Sequence, residues 1–385
     1  MYFAEAIFWL SAAGLFYTFI GYPLMMAIMA WARPRSMLKK AVTPKVSLVV
    51  TAHNEEVVIR EKIENGLALD YPRERLEIIV ASDCSTDRTN QIVSEYASKG
   101  VRLAVLDERK GKTAAQNLAV SKADGEIIVF SDASTLLHPD AIRKMAQNFG
   151  DPTIGCVSGE DKSINSRDGR RIEDEGLYVR YEMLIRRWES RVGSIVGASG
   201  CLYGVRRSLW RQPEEFLVVD FTTPLDVREQ GFRILAEPEA VAYVKTVASS
   251  GEEFARRVRT ASRGQLGLLY KRQLLNPFRF GFFSIQLFSH KLLRFCAPIL
   301  LILLLIANGS LVSESVIYAV SMALQGAFYA TAWIGFLLKD RPNRIRVFSL
   351  PFYFVMVNWA ILVAWTRVFL GKTDAMWIPS RRVPA

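Results

Sequence analysis

Three short acidic segments in the first part of the chain carry the residue types that could do chemistry. Each comes directly after a run of apolar residues, and they read TAHNEE at 51–56, SDCSTD at 82–87 and SDAS at 131–134. Carboxylates in such places can bind a divalent cation, accept hydrogen bonds or take a proton from a hydroxyl group. Asp87 also suits the N-cap of the helix that follows it. Asp83 and Asp132 each follow a strand directly, so we expect these two carboxylates to face a binding crevice.

Alternating strand and helix patterns surround these segments and must position them. Residues 46–51 form a continuous apolar, β-branched run that is typical of a buried parallel strand. The other predicted elements are strands at 77–82, 101–106 and 126–131, with helices at 55–67, 87–98 and 113–122. This order predicts an α/β fold with a mostly parallel sheet and helices on both faces. Ligands bind beyond the carboxyl ends of such strands, where the acidic segments meet.

Apolar residues crowd into the two ends of the chain, although the 385 residues carry a net charge of +11. The stretch 3–31 exceeds the roughly 20 residues that a helix needs to cross a bilayer. Further stretches of this kind lie at 292–311, 316–338 and 347–370. We therefore predict an N-terminal anchor (1–40), a central domain (41–276) and a C-terminal region (277–385) with about three transmembrane helices. Residues 277–291 fit an interfacial helix or the start of the next span.

Basic residues beside the apolar stretches predict the orientation. Arg33, Arg35, Lys39 and Lys40 follow the first stretch, and 339–346 is also basic, so the central domain is expected in the cytoplasm of a multi-pass cell-membrane protein. A full crossing by the last stretch would export the basic tail against this rule, unless that stretch is partly re-entrant. Contact with anionic membrane lipid explains part of the charge. With no zinc finger or RNA-binding motif, nucleic acid is not an expected partner.

Several kinds of site are excluded by spacing. The four cysteines form no CxxC pair and the three histidines no HExxH motif, so a bound metal would be held largely by oxygen. Gly111-Lys112-Thr113 is not a P-loop, because Leu106 stands where that motif requires glycine.

A family resemblance rests on these same segments. VSLVVTAHNEE, IIVASDCSTDRT and GKTAAQNLAVSKADGEIIVFSDAS, in this order, resemble the family-2 glycosyltransferases, which bind nucleotide sugars with the GT-A fold. GASGCLYGVRR at 197–207 and VDF at 219–221 extend the similarity over roughly residues 44–264. The resemblance implies a membrane-anchored GT-A enzyme related to polysaccharide and glycolipid synthases.

The resemblance also implies roles on the donor side. Asp83 would hydrogen-bond the nucleobase, while Ala52, Asn54 and Glu55 would shape its pocket and favour uridine. Lys112 would contact the donor diphosphate at the head of a helix, where amide groups and the helix dipole favour anions. A solvated surface lysine is the alternative interpretation of Lys112.

For the metal and the base, the resemblance implies two further acids. Asp132 matches the first Asp of the family's DxD motif, but Ser134 stands where the second acid is usual, so the choice between Mg2+ and Mn2+ stays open. Asp220 matches the general base that takes the proton of the acceptor hydroxyl. Asp226, inside a probable helix, is the competing base.

One departure from the family bears on the product. Processive cellulose, chitin and hyaluronan synthases carry QxxRW, whereas residues 256–264 read RRVRTASRG. Arg259 or Arg263 could still bind the diphosphate, or the two could lie on an exposed basic helix. Transfer of one or a few sugars is therefore favoured over polymerisation.

The expected function is inverting transfer from a UDP-sugar donor to a lipid-linked or growing glycan acceptor, in cell-envelope or exopolysaccharide synthesis. A processive synthase-translocase is the first alternative, and a membrane scaffold or transporter with an inactive domain is the second. Residues 170–191 resemble an amphipathic helix that either packs on the sheet, covers the acceptor path or lies against lipid.

Overall fold

A computed structural model of the chain describes residues 2–35, 37–165, 177–246, 250–339 and 346–372. The first part of the predicted helix 170–191, most of the basic connection 339–346 and the tail after residue 372 lie outside this range. The described residues of 26–247 and 270–286 form one compact unit, the sheet unit. Those of 1–25, 248–269 and 287–373 form a second, the helical unit.

Eight strands and fourteen α-helices account for most of the described chain. The strands are β1 (Val46–Ala52), β2 (Leu76–Ser82), β3 (Val101–Val105), β4 (Ile127–Asp132), β5 (Thr135–Leu137), β6 (Ile154–Asn165), β7 (Leu202–Arg206) and β8 (Arg233–Thr246). The first eight helices are α1 (Tyr2–Phe16), α2 (Tyr22–Ala32), α3 (Ile59–Leu67), α4 (Thr89–Ser94), α5 (Lys112–Ser121), α6 (Ala141–Asn148), α7 (Leu177–Val192) and α8 (Val219–Glu229). The others are α9 (Ser250–Tyr270), α10 (Pro277–Phe280), α11 (Phe282–Leu287), α12 (Leu293–Leu311), α13 (Val316–Leu337) and α14 (Arg346–Phe369).

The strands form a single sheet in the order β3-β2-β1-β4-β7-β6-β8-β5. β3, β2, β1 and β4 are parallel, as the βαβ pattern predicts, so the α/β fold is confirmed. β7 then pairs antiparallel with both β4 and β6. The sheet therefore has a parallel half, which the sequence pattern predicts, and a mixed half.

Strand β1 lies at the centre of the parallel half and is buried along its whole length, because it is covered on both faces. Its register pairs Thr51 with Asp132 and Ala52 with Ser82. The ends of β1, β2 and β4 consequently meet at one edge. The predicted meeting of the acidic segments follows from this register.

In the helical unit, α1 and α12 pack together, and Phe8 meets Tyr318 edge to face with ring centroids 5.0 Å apart. Within the described chain, four helices are long and apolar enough to span a membrane: Tyr2–Ala32, Phe282–Leu311, Val316–Leu337 and Val347–Phe369. They correspond to the four apolar stretches of the sequence. The last helix continues through Pro351.

Residues 277–291, for which two interpretations were open, divide at Gly281. Pro277–Phe280 forms one separate turn, and Gly281 has a φ of 60°, a conformation that glycine adopts without strain. Helix then runs from Phe282 to Leu311 through a π-helical turn at Phe288–Leu292.

Candidate functional site

Asp83 is completely buried just beyond β2. One of its carboxylate oxygens is hydrogen-bonded, and the other has no donor among the described residues. Its Oδ1 accepts hydrogen bonds from the backbone amides of Lys110 (2.9 Å) and Gly111 (3.0 Å). Its Oδ2 accepts none from the described residues, and Arg109 Nε lies 4.0 Å away. Gly111 has a φ of 95°, which lets the chain turn towards Asp83 before α5 begins. A buried carboxylate oxygen without a donor is suited to an N–H of a ligand.

The loop after β1 is fastened to the loop after β2. Asn54, with a φ of 52°, accepts hydrogen bonds through Oδ1 from the backbone of Thr86 (2.8 Å) and Asp87 (3.4 Å). Asp87 in turn accepts from the Thr89 amide at the start of α4, but the N-cap is Arg88, one residue after the predicted position. The buried Glu55 donates its own amide to Thr89 Oγ1. Asn54 therefore shapes this edge by holding two loops in place.

Lys112 and Asp132 form an ion pair at the same edge. Lys112 is the first residue of α5, and its Nζ lies 2.5 Å from Asp132 Oδ1. Burial opposes ionisation of the amine, yet the Asp132 and Asp220 carboxylates raise the pKa of Lys112 above its ordinary value. Lys112 is therefore a charged ammonium paired with Asp132 and influenced by Asp220, at a helix N-terminus that also favours anions.

Asp220 lies in the first turn of α8 and is held against the segment Ala198–Cys201. Its carbonyl accepts a hydrogen bond from the Ala198 amide (3.0 Å). A Cβ at position 200 would displace Asp220 Oδ2, so glycine lets this carboxylate lie against the segment. The segments 197–207 and 219–221, which extend the family resemblance, thus lie near Lys112 and Asp132.

Asp226, the competing base, is occupied elsewhere. It is buried, and its Oδ1 lies 2.5 Å from the Nζ of Lys271, which is buried as well. Burial raises the pKa of Asp226, while the hydrogen bond from Lys271 opposes this. The pair joins α8 to the segment after α9. Asp226 therefore has a structural role, which favours Asp220 as the base.

Lys62 is a residue of this edge that the sequence analysis missed. It lies on the buried face of α3, 1% exposed, and its Nζ donates to Ser131 Oγ (2.8 Å) and to the Thr135 carbonyl (2.6 Å). These two acceptors flank Asp132, at the end of β4, and Ser134, in the β4–β5 turn. Burial lowers the pKa of Lys62 to about 7, although Asp132 opposes the shift. The available signal was a lysine among Ile59, Ile63 and Gly66 on the apolar face of the helix.

The lowered pKa of Lys62 predicts a pH-dependent stability difference. The unfolded chain keeps the Lys62 proton up to about pH 10.4 while the folded chain releases it near pH 7, so folding becomes more favourable as pH rises between these values. Relative to Lys62→Met, we expect the free energy of unfolding of the wild type to rise with pH, by at most about 1.4 kcal/mol per pH unit. Denaturant unfolding in detergent at pH 7, 8.5 and 9.5 measures the difference. A constant difference would contradict the buried amine.

Arg259 and Arg263 belong to the helical unit, where both lie on α9. Burial lowers the pKa of Arg259 relative to an exposed arginine. In the same unit, Gln265 of this helix donates to the Ile361 carbonyl (3.0 Å). Diphosphate contacts by the two arginines stay predictions.

The donor groups available for a metal are few. Asp132 is partly exposed at the end of β4 and Ser134 stands two residues later in the turn. Among the described residues, no group of three or more His, Cys, Asp or Glu side chains could hold a metal ion alone. A hard cation that takes most of its oxygens from a diphosphate and water fits this donor set.

Comparisons with known proteins agree with the predicted fold. Residues 47–212 match the model of the family described as Glycosyl transferase family 2. A probable glycosyltransferase of Bacillus subtilis, YdaM, is 30% identical over 52% of this chain and 50% of its own length. A poly-beta-1,6-N-acetyl-D-glucosamine synthase of Staphylococcus aureus is 27% identical over 58% of this chain and 55% of its own. The chain thus spans about half the length of these curated relatives.

A solved structure matches over a wider range. A mannosyltransferase from Pyrobaculum calidifontis, in complex with GDP-Man and Mn2+, aligns with a TM-score of 0.74 at 23% identity, over 96% of this chain and 99% of that one. At this identity the match establishes the fold. The chain thus has the GT-A fold, residues 47–212 match the Glycosyl transferase family 2 model, and the described residues include four helices of membrane-spanning length.

Proposed function

We propose that the protein is an inverting glycosyltransferase that moves a sugar from a UDP-sugar to a lipid-linked or growing glycan acceptor at the cytoplasmic face of the cell membrane. The observation that carries the proposal is the arrangement along one sheet edge. Asp83 offers a buried oxygen without a donor in the described chain, Lys112 offers a cation at a helix N-terminus, and Asp220 offers a carboxylate close enough to raise the pKa of Lys112.

The hydrogen bonding of Asp83 favours uracil as the nucleobase of the donor, because Oδ1 already accepts two hydrogen bonds and only Oδ2 has no donor among the described residues. Uracil has one N–H, at N3, and a single carboxylate oxygen suffices to accept it. Guanine offers two neighbouring N–H groups that would best use both oxygens, but Oδ1 already accepts two backbone amides. The GDP-Man of the solved mannosyltransferase therefore need not be the donor of this chain.

The transfer step uses Asp220 and Lys112. Asp220 accepts the proton of the acceptor hydroxyl while that oxygen forms a bond to the anomeric carbon. The bond from this carbon to the diphosphate oxygen breaks, its electron pair leaves with UDP, and the configuration inverts. The Lys112 ammonium stabilises the charge that develops on the diphosphate.

A divalent cation, Mg2+ or Mn2+, fits beside Lys112, with Asp132 and Ser134 as its protein ligands. When bound, such an ion would neutralise charge on the leaving diphosphate. The mannosyltransferase structure, which is a complex with GDP-Man and Mn2+, supports a metal requirement in a protein of this fold.

A lipid-linked acceptor is supported by the four apolar helices, because they would keep the domain beside the membrane. The name of the Staphylococcus aureus relative favours a second candidate, processive polymerisation. Product sizing with radiolabelled donor separates the two: short products support limited transfer, and a ladder of long polymer supports a processive synthase.

Nucleotide binding tests the proposed donor. We expect the detergent-solubilised protein to bind UDP more tightly than GDP or ADP in titration calorimetry. Asp83→Asn should weaken UDP binding about 10- to 100-fold, the value of a charge-assisted hydrogen bond. The asparagine Oδ1 can keep both backbone amides while its NH2 group opposes uracil N3–H. Asp107→Asn, an exposed acid nearby, is the matched control. Tighter binding of GDP than of UDP by the wild type would contradict the proposal.

A further inference from the structure

Asp161 is a partly buried acid in the mixed half of the sheet, and none of the roles described so far uses it. It lies on β6, and the sheet order places β7 between β6 and β4, the strand that ends at Asp132. Two strand spacings correspond to roughly 10 Å. Asp83 is four strands from β6 in the same order. Asp161 is therefore at the end of the site that is remote from the nucleobase.

The surroundings of Asp161 hold its carboxylate in place. Ser199 Oγ lies 2.5 and 2.6 Å from the two carboxylate oxygens, so its hydroxyl donates to this carboxylate. Ser199 is itself fixed, because its amide donates to Ser158 Oγ (2.8 Å) and its Oγ accepts from the Cys201 amide (3.1 Å). Burial raises the pKa of Asp161 to about 6, with Ser199 and Arg186 opposing and Asp132 adding to the shift.

Arg186 of α7 faces this carboxylate without closing on it. Its Nη2 lies 3.4 Å from the Ala198 carbonyl, while its buried Nη1 has no hydrogen-bond partner among the described residues. The guanidinium is near enough to lower the pKa of Asp161. Within the described part of the chain, however, no ion pair of 4.0 Å or less joins the two. The unpartnered Nη1 and the acid are therefore two neighbouring groups to which one hydroxyl group could hydrogen-bond, accepting from the first and donating to the second.

The same segment holds Asp161 and the base. Within Ala198–Cys201, Ala198 donates to the Asp220 carbonyl and Gly200 packs against Asp220 Oδ2, whereas Ser199 donates to Asp161. The segment Ala198–Cys201 therefore contacts both acids and holds Asp161 and Asp220 in a fixed relative position. A group bound at Asp161 would lie on the acceptor side of the anomeric carbon, where Asp220 takes the proton.

We propose that Asp161 and Arg186 bind hydroxyl groups of the acceptor sugar and orient it towards Asp220. This proposal depends on the proposed glycosyl transfer. It specifies the acceptor as a glycan or glycolipid whose reacting end is a sugar. Asp161 accepts a hydrogen bond from one hydroxyl of that sugar, and Arg186 donates through Nη1. The subsite contributes recognition and orientation, while the proton moves to Asp220.

Separate saturation curves for donor and acceptor test the subsite. The probes are a radiolabelled UDP-sugar and a lipid extract of the source cells, and the readouts are label in the organic phase and released UDP. For Asp161→Asn we expect the half-saturating extract concentration to rise about 10- to 100-fold, with that of the UDP-sugar changed less than about twofold. Arg186→Gln should likewise raise the half-saturating concentration of the extract but not that of the UDP-sugar. It replaces Asp161→Asn in the test if that variant folds poorly.

The neighbouring residues supply a matched control. Glu160 precedes Asp161 and Arg187 follows Arg186 by one position. The two form an ion pair at 2.7 and 2.8 Å in which Arg187 is half-exposed and Glu160 is largely buried. Glu160→Gln and Arg187→Gln should leave both half-saturation values within about twofold, because these two side chains pair with each other and take no part in the proposed subsite. Equal rises for donor and acceptor in Asp161→Asn, or no rise in either, would overturn the subsite while leaving the transferase intact. No UDP release by the wild type with any UDP-sugar would overturn the proposed function and the subsite together.

Discussion

Replacement of Asp220 by Asn is expected to lower the rate of sugar transfer about 10^2- to 10^4-fold, with the affinity for UDP kept within about twofold. The amide is nearly isosteric with the carboxylate but cannot take the proton of the acceptor hydroxyl, and general-base catalysis contributes roughly that factor. The backbone of residue 220 still accepts from Ala198, so the segment beside it should stay in place. Single-turnover transfer from a labelled UDP-sugar, with UDP affinity measured by calorimetry, gives the two numbers.

Glu214→Gln is the matched control, since Glu214 is an exposed acid shortly before α8. It should transfer at the wild-type rate. If Asp220→Asn transferred as fast as the wild type, the base assignment would be wrong. A large loss of UDP affinity in Asp220→Asn would also count against it, because it would place Asp220 on the donor.

The donor half of the candidate site could be predicted because local patterns determine it. A βαβ order requires parallel strands, parallel strands end at one edge, and the residues just beyond these ends must meet there. The spacing alone therefore predicts that Asp83 and Asp132 lie at one edge, and the register of Thr51 with Asp132 agrees with it. The position of Asp87 before a helix predicts an N-cap there; the N-cap is Arg88, although the Asp87 carboxylate does accept the Thr89 amide.

The rest of the site depends on contacts between residues far apart in the sequence. Lys62 and Ser131 are 69 positions apart, and no local pattern connects a lysine of α3 to the β4–β5 turn. Asp226 and Lys271 are separated by 45 positions, so helix membership alone could not decide between Asp226 and Asp220. Asp161 was missed because its neighbours depend on β7 entering the sheet antiparallel between β4 and β6.

In the proposed function, one half of the sheet binds the donor and the other half binds the acceptor. The parallel half presents Asp83, Lys112 and Asp132, which suit an anionic nucleotide. The mixed half presents Asp161 and, through the segment Ala198–Cys201, Asp220, which suit a neutral sugar hydroxyl. Inverting transfer requires acceptor and leaving group on opposite sides of the anomeric carbon, and the proposed division into a donor half and an acceptor half is compatible with this requirement.

Replacement of Asp132 by Ala is expected to lower metal-dependent transfer at least about a hundredfold. Two losses combine: an oxygen ligand disappears, and Lys112 loses the carboxylate 2.5 Å away that holds its ammonium in position. Mn2+ binding in the presence of UDP, followed by electron paramagnetic resonance, should weaken in parallel, and EDTA should inactivate the wild type.

Ser134→Asp tests the metal-binding role of Asp132 separately from its ion pair with Lys112. It introduces a second acid two residues after Asp132 and leaves Lys112 unchanged. A second carboxylate near a hard cation should tighten Mn2+ binding about tenfold, since the site then has more negative charge and one more strong oxygen ligand. The conservative Ser134→Thr should bind Mn2+ like the wild type. Full activity of the wild type in EDTA would contradict the metal assignment, and Asp132 would then act through its ion pair with Lys112 alone.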